Sequence, residues 1–473
     1  MILKTKNSGS NYLAKVVKLG KPIPFPGADK LQLFSIDFNT VITGLAAKEG
    51  DIYCFFPIES CLNKEYLSWS NSFAHPELNA DKTKKGFFND SGRVRAIKLR
   101  GQKAEGYIVP IDDIVSFIEH VGKIPLPGIK IGFTDEVGKE FDSIEFDMDC
   151  GNIGVEPIEI LLCEKYVPAN QKAKGPANTP KQDKTKRHDR IVPGQFRFHV
   201  DTANLKKNIH LLKPSDIVSI SYKLHGTSAV FSRVLTKRKL KWHEKLLQRL
   251  GVKIQDTEYG NIYSSRGVIK NAYLYPDKVQ NHWYKTDIWG DANSVVEPCL
   301  EDGITIYAEI VGYTSNGGCI QKNYDYGCQP GQFEIYVYRI TSTNAQGKVL
   351  EFTTNQMDRY CARYGLKIVP IWYYGKASDY EEYVPELTNT TSDWHSNLLI
   401  TLSNEYLEKD CHLCKNKVPA EGIVLSIEGE NFTAFKLKSY NFLERETKAL
   451  DNQEVDLETE QTGFTADERG WIG

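Results

Sequence analysis

A break in composition constrains this chain more than any other feature. Residues 168–190 read PANQKAKGPANTPKQDKTKRHDR, with Lys172, Lys174, Lys181, Lys184, Lys186, Arg187 and Arg190 set against only Asp183 and Asp189. A stretch rich in Pro, Gly, Asn and Lys and almost devoid of apolar side chains cannot bury enough surface to offset its ordering entropy. It therefore separates two folding units, and the expected division is 1–165, a basic linker or loop at 166–192, 193–446, and an acidic tail at 447–473. The linker is read first as a solvated tether and second as a basic arm that touches phosphate.

The first unit alternates short apolar, β-branched runs with turn-rich segments. Strands are expected near 12–17, 31–37, 40–44, 51–58, 93–99 and 106–111, and a helix at 112–120. Five or so short strands with one helix suggest a small closed barrel of the OB type. The second unit mixes strands and helices. Strands are expected at 217–223, 229–234, 304–311, 333–341, 421–427 and 433–438, and helices at 242–250 and 354–364. The fold class is α+β, a barrel followed by a mixed α/β domain.

The formal net charge is only −2, so any nucleic-acid site must be a local basic surface. No run of about 18 apolar residues is present, and the N-terminus MILKTKNSGSNYLAK lacks the apolar core of a signal peptide. These features give the expectation of an intracellular protein with no membrane partner. The ten cysteines form no regular framework and are read as reduced thiols. Cys411 and Cys414 have CxxC spacing around His412 but lack two nearby further ligands, so they are read as thiols in a loop.

The chemistry concentrates in SYKLHGTSAVFS, residues 221–232. Lys223 ends an apolar strand and opens a tight turn, Leu224–His225–Gly226. A lysine there can project into a pocket and act as a nucleophile once its proton is lost. A lone KxxG is weak, but downstream come YSSRG, YAEIVGY, IQKNYDYG, FEIYVYRI, AEGIVLS and AFKLKS in order. Arg266 can fork onto phosphate. Glu309 and Glu421 can hold a hard divalent cation directly or through its waters. Tyr338 offers a flat face to a purine. Lys436 and Lys438, two apart on a strand, point to one side and can hold an α-phosphate and a leaving pyrophosphate.

This ordered set resembles the covalent nucleotidyltransferase superfamily of polynucleotide ligases and capping enzymes, with KLHG in place of KxDG or KxHG. KLHGTS and IQKNYDYG are similar to the ATP-dependent RNA ligases. GADKLQLFSID, GDIYCFFPIES, RVRAIKLRGQKAEGYIVPI and FRFHVDTANLKKN resemble the Naegleria and Deinococcus type, in which an OB module precedes the adenylation domain. The resemblance implies that Lys223 becomes AMP-linked. It implies a nucleotide pocket of Lys223, Leu224, His225, Gly226, Arg266, Glu309, Tyr338, Glu421, Lys436 and Lys438, with Lys223, Lys436 and Lys438 catalytic and Glu309 and Glu421 on Mg²⁺ or Mn²⁺. His225 stands where many members have Asp, and a neutral imidazole is a poor magnesium partner, so it is not assigned to the metal. The implied partners are ATP and an RNA with 5′-phosphate and 3′-hydroxyl ends, sealed by a monomer in RNA repair. Arg93, Arg95 and Arg100 are the RNA-contact candidates of the first unit. A capping enzyme, a DNA ligase and an RNA-binding protein with an inactive ligase domain remain the alternatives.

Overall fold

Where apolar runs are short and punctuated by Gly, Pro and Asp, the chain forms small antiparallel ladders. The computed structural model describes residues 2–6, 8–122, 136–146, 158–166, 190–270, 284, 286–383 and 393–452. The basic segment at 167–189 and the acidic residues from 453 onward lie outside the described residues. Contacts group the chain into two units. One comprises Met1–Pro168 with Leu443–Asn452, the other Ala169–Phe442 with Gln453–Gly473.

In the first unit Ala14–Lys18, Ile52–Pro57, Gly106–Pro110 and Glu140–Phe141 make one antiparallel sheet, and Ile23–Pro24, Leu31–Ile36 and Asn39–Gly44 another. A third joins Ile2–Lys4, Ser143–Phe146 and Ile158–Leu161. The ladders are separate, and no closed barrel is traced among the described residues. The helix Ile111–Gly122 covers the core with Ile111, Ile114, Phe117 and Ile118, a helical spacing. Only Ile97–Leu99 of the expected 93–99 strand is extended in a ladder.

That local difference changes the reading of Arg93. Its side chain is 4% exposed and its guanidinium donates to the Thr447 carbonyl at 3.0 Å and to Asp451 Oδ1 at 2.8 Å. It also lies over the Tyr166 ring at 5.1 Å. Arg93 is therefore an internal cation rather than an exposed RNA contact. Arg95 divides its guanidinium between the Phe87 carbonyl and Asp451, and Arg100 reaches the Gly27 carbonyl. The tail also begins later than the composition suggests. Residues 447–451 complete the helix Tyr440–Asp451, and Asp451 is its anchor to the two arginines.

The second unit is two sheets. One runs, in order, Ala203–Asn204, Thr433–Lys438, Gly422–Ile427, Ile217–Lys223 and Ile371–Lys376. The other runs Thr257–Ser265, Thr227–Lys237, Ile304–Gly312, Phe333–Thr343 and Val349–Glu351, with Lys367–Ile368 parallel to Phe333–Thr343. The helix Thr354–Tyr364 forms as its periodicity predicts, with a Thr353–Gln356 capping box at its start and Gly365 at φ +69° ending it. The helix Trp242–Arg249 also forms, but none of its residues is buried.

Arg93→Ala would leave Asp451 with Arg95 alone and remove the guanidinium donor from the Thr447 carbonyl. The expected cost is about 3 kcal/mol of stability, read as a lowered Tm together with faster amide exchange across 443–451.

Candidate active site

Leu224–His225–Gly226 carry the chain from the end of Ile217–Lys223, in one sheet, to the start of Thr227–Lys237, in the other. Lys223 thus stands where the backbone changes sheets. In the first sheet Gly422 is the cross-strand partner of both Lys223 and Lys438, so the two lysines flank a residue with no side chain. Gly422 has φ +139°, and an added Cβ would lie 2.0 Å from the Leu437 carbonyl oxygen, so only glycine fits.

Glu421, the residue before it, is 1% exposed. Its Oε1 is 2.7 Å from Lys223 Nζ and 3.5 Å from Lys438 Nζ, and Oε2 lies 3.7 Å from His225 Nδ1. A buried carboxylate requires such cations. Glu421 Oε2 nevertheless makes no hydrogen bond, and neither does His225 Nδ1. The imidazole is held edge-on between Tyr324 and Phe442, with ring centroids 4.8 and 4.9 Å away. Lys438 Nζ also lies over the Phe442 ring at 5.2 Å.

The second sheet supplies the opposite wall. Ser228 is paired across strands with Glu309, and Ala229 with Ser265, so Glu309 and Ser228 come from neighbouring strands and Arg266 directly follows a third. Glu309 Oε1 accepts the Gly226 amide at 3.0 Å. The Tyr338 hydroxyl is 3.2 Å from Ser228 Oγ. The ladder between Ile304–Gly312 and Phe333–Thr343 pairs Tyr307 with Arg339 and Ala308 with Val337, leaving Tyr338 as an extra bulged residue. A bulge re-aims a side chain without breaking the sheet. Burial and the Glu309 charge push the Tyr338 phenol up, so it stays protonated. Arg266 Nε donates to Asp201 Oδ1 at 3.0 Å.

The structure gathers Lys223, His225, Glu421 and Lys438 into one cluster and Gly226, Glu309 and Tyr338 into an adjoining one. Lys436 sits two residues before Lys438 on the same strand. Gly226 packs closely against the second sheet. An added Cβ would stand 2.3 Å from the Ile310 carbonyl oxygen, so glycine allows close strand packing. Among the described residues no group of three or more His, Cys, Asp or Glu side chains forms a metal cage, and the CxxC thiols gain no partner ligands.

Several residues were not singled out from sequence. Gln321 Nε2 donates to the Gly226 carbonyl at 2.7 Å, and the Tyr326 hydroxyl accepts the His225 amide at 2.6 Å. Both come from IQKNYDYG, whose motif signal was visible without its role. His199, in FRFHVDTANLKKN, packs edge-on to Tyr338 with centroids 5.0 Å apart. Burial first, then the Arg339 and Arg266 charges, lower its pKa to about 3.

The RNA ligase family model matches residues 216–440, a span that contains all of these clusters except His199, Asp201 and Phe442. Over this span the chain is similar to the RNA ligase family. Solved structures of Naegleria gruberi RNA ligase share the fold along most of both chains. A mutant with AMP and Mn is 16% identical at a TM-score of 0.50, covering 92% of this chain and 98% of that one. A mutant with ATP and Mn is 15% identical at 0.51, covering 92% and 99%. No curated protein matches the sequence. In this segment, then, the motif order and the observed clusters coincide on the strand ends around the sheet-switching turn.

Because the folded state keeps His199 neutral while an unfolded imidazole titrates near 6.5, its contribution to stability is full above pH 6.5 and is lost as pH falls toward 3. Wild type should lose about 1–2 kcal/mol more than His199→Gln between pH 7 and pH 5. Denaturant melts at the two pH values check this, and equal losses would remove His199 from the account.

Proposed function

We propose that this chain is an ATP-dependent RNA ligase that joins RNA 3′-hydroxyl and 5′-phosphate ends through AMP carried on Lys223. The observation that carries the reading is the convergence of Lys223, Lys438 and His225 on the buried Glu421, within the segment that is similar to the RNA ligase family.

The residues divide the work. Lys223 Nζ, once deprotonated, attacks the α-phosphorus of ATP and pyrophosphate leaves. Glu421 orients the ε-amino group at 2.7 Å. Lys438, with Lys436 on the same strand, neutralises the phosphate oxygens as charge shifts to the leaving group. Tyr338 gives the adenine a flat face, fixed by Ser228. Arg266 forks onto phosphate. The RNA 5′-phosphate then takes the AMP from Lys223, giving a 5′–5′ pyrophosphate, and the RNA 3′-hydroxyl displaces AMP. Mg²⁺ or Mn²⁺ held by Glu421 and Glu309 would supply positive charge against the triphosphate. The Naegleria gruberi structures, with ATP or AMP and Mn, support this choice of nucleotide and cation.

In this reading residues 1–165 are an OB-type accessory module that lies along the RNA, with Arg95 and Arg100 as its cationic contacts. Residues 166–192 are a basic linker and 193–446 the adenylation domain. The protein acts as a monomer inside the cell, in RNA repair.

Incubation with α-³²P-ATP and Mg²⁺ or Mn²⁺, followed by a denaturing gel, tests the first step. Wild type should carry label and Lys223→Ala none, while Lys438→Ala should label about 10²–10³ times more slowly. Label from GTP alone would place the chain among capping enzymes, and sealing of DNA but not RNA 3′-hydroxyls among DNA ligases. Absence of label with either nucleotide, after pyrophosphate has stripped any bound AMP, would leave an RNA-binding protein with an inactive ligase domain.

A further inference from the structure

The hairpin of Thr227–Lys237 and Thr257–Ser265 extends past its last cross-strand pair, Lys237 with Thr257, into the helix Trp242–Arg249. The insertion is held firmly to its stem. Arg238 grips Glu244 at 2.9 and 3.1 Å and the Gln255 carbonyl at 2.7 Å, and Glu244 accepts the Lys241 amide at 2.7 Å. Yet the helix itself buries no residue. Trp242, Leu246 and Leu250 are 78%, 51% and 72% exposed, and Leu247 and Val252 are 40% and 46% exposed.

Residues four apart stack on one helix face, so Trp242, Leu246 and Leu250 form a continuous apolar strip with Leu247 beside it. Single exposed apolar side chains are ordinary; a contiguous strip on a structured helix marks a contact surface. Its borders are cationic. Lys239, Lys241, Lys245, Arg249 and Lys253 surround the strip, and none makes an ion pair among the described residues.

We propose that the Trp242–Arg249 helix docks on an anionic lipid bilayer surface, lying in the interface with its apolar strip inward. Charge complementarity and the strip together select this occupant. RNA would match the lysines and leave Leu246, Leu247 and Leu250 against water. A neutral apolar surface would match the leucines and leave the cations unused. Anionic headgroups above acyl chains satisfy both, with Trp242 at the boundary. No helix of the described residues is long and apolar enough to cross a membrane. A helix lying in the interface needs no such length, so the expectation of no membrane partner, drawn from the lack of an apolar span, does not extend to this surface.

The full chain is sedimented with vesicles of phosphatidylcholine alone and with about a quarter phosphatidylserine, at physiological salt and with or without a competing RNA oligonucleotide. Wild type should partition onto the anionic vesicles about tenfold more than onto neutral ones, and the triple variant Trp242→Ser, Leu246→Ser, Leu250→Ser should lose about tenfold. The double variant Lys245→Glu, Arg249→Glu should lose binding to anionic vesicles while keeping an unchanged Tm. The Tm of the triple variant is the folding control, because its three side chains are exposed. Equal partition of wild type and triple variant would overturn the proposal. So would absence of vesicle binding with RNA binding weakened only by the double variant, which would assign the helix to RNA. So would self-association abolished by the triple variant, which would assign it to a second copy of the chain.

Discussion

The second unit is organised around one carboxylate that water barely reaches and the cations that surround it. Glu421 is 1% exposed, and the cations beside it, Lys223 and Lys438, are themselves only 14% and 15% exposed. Removing one member of such a group leaves an uncompensated buried charge, which costs several kcal/mol. The ladder solves the placement problem. Lys223, Gly422 and Lys438 are in register across three strands, and glycine in the middle leaves room for two lysine stems. In the proposed reading the triangle that packs the sheet also holds the nucleophile, so stability and chemistry would share one set of atoms.

The two walls of the site come from irregularities in otherwise regular sheets. The Leu224–Gly226 turn hands the chain from one sheet to the next, and Gly226 lets it pass so near the Ile310 carbonyl that an added Cβ would lie 2.3 Å from its oxygen. The bulge at Tyr338 sets one aromatic ring beside Ser228, while its neighbour Arg339 stacks on Tyr307 and Phe432 at 4.4 and 4.2 Å and pairs with Glu351. Regular strands supply the rigidity, and the exceptions supply the direction of each side chain.

Much of this was legible in the sequence because each clue was local. The strand ending at Lys223 is an apolar run, and residues Lys436 and Lys438 follow from period two alone. The helix at Thr354–Tyr364 carries its own cap signals. What failed was long-range. Arg93 looks like one more cation in RVRAIKLR, and nothing within that segment says that Asp451, far along the chain, neutralises it. Residues 447–451 look like the start of an acidic tail until the same pair makes them the end of a helix. Periodicity correctly located the Trp242–Arg249 helix, but periodicity says which residues share a face and not what that face meets. The single barrel was inferred from strand count, whereas pairing, which strand count does not fix, divides those strands among several ladders.

IQKNYDYG braces the turn that follows Lys223. Gln321 and Tyr326 hold the backbone of Gly226 and His225, one on either side of the nucleophile turn. Asp325 accepts the amides of Lys415 and Asn416 at 2.9 and 2.8 Å, and the Tyr324 hydroxyl donates to the Pro419 carbonyl at 2.8 Å. The motif therefore ties the turn after Lys223 to the segment that leads into Glu421. Tyr326 adopts φ +46° to do so, a left-handed backbone that a bulky residue accepts only when its surroundings over-determine it. The CxxC is part of the same brace. Cys411 is buried against Tyr222 and Tyr326 within one apolar cluster, and its turn presents the amides that Asp325 caps. Zinc is not needed to explain that spacing. A tight turn whose small apolar side chains pack under the nucleophile strand accounts for it, and the carboxylate of Asp325, held below its ordinary range by those amides, fixes the turn in place.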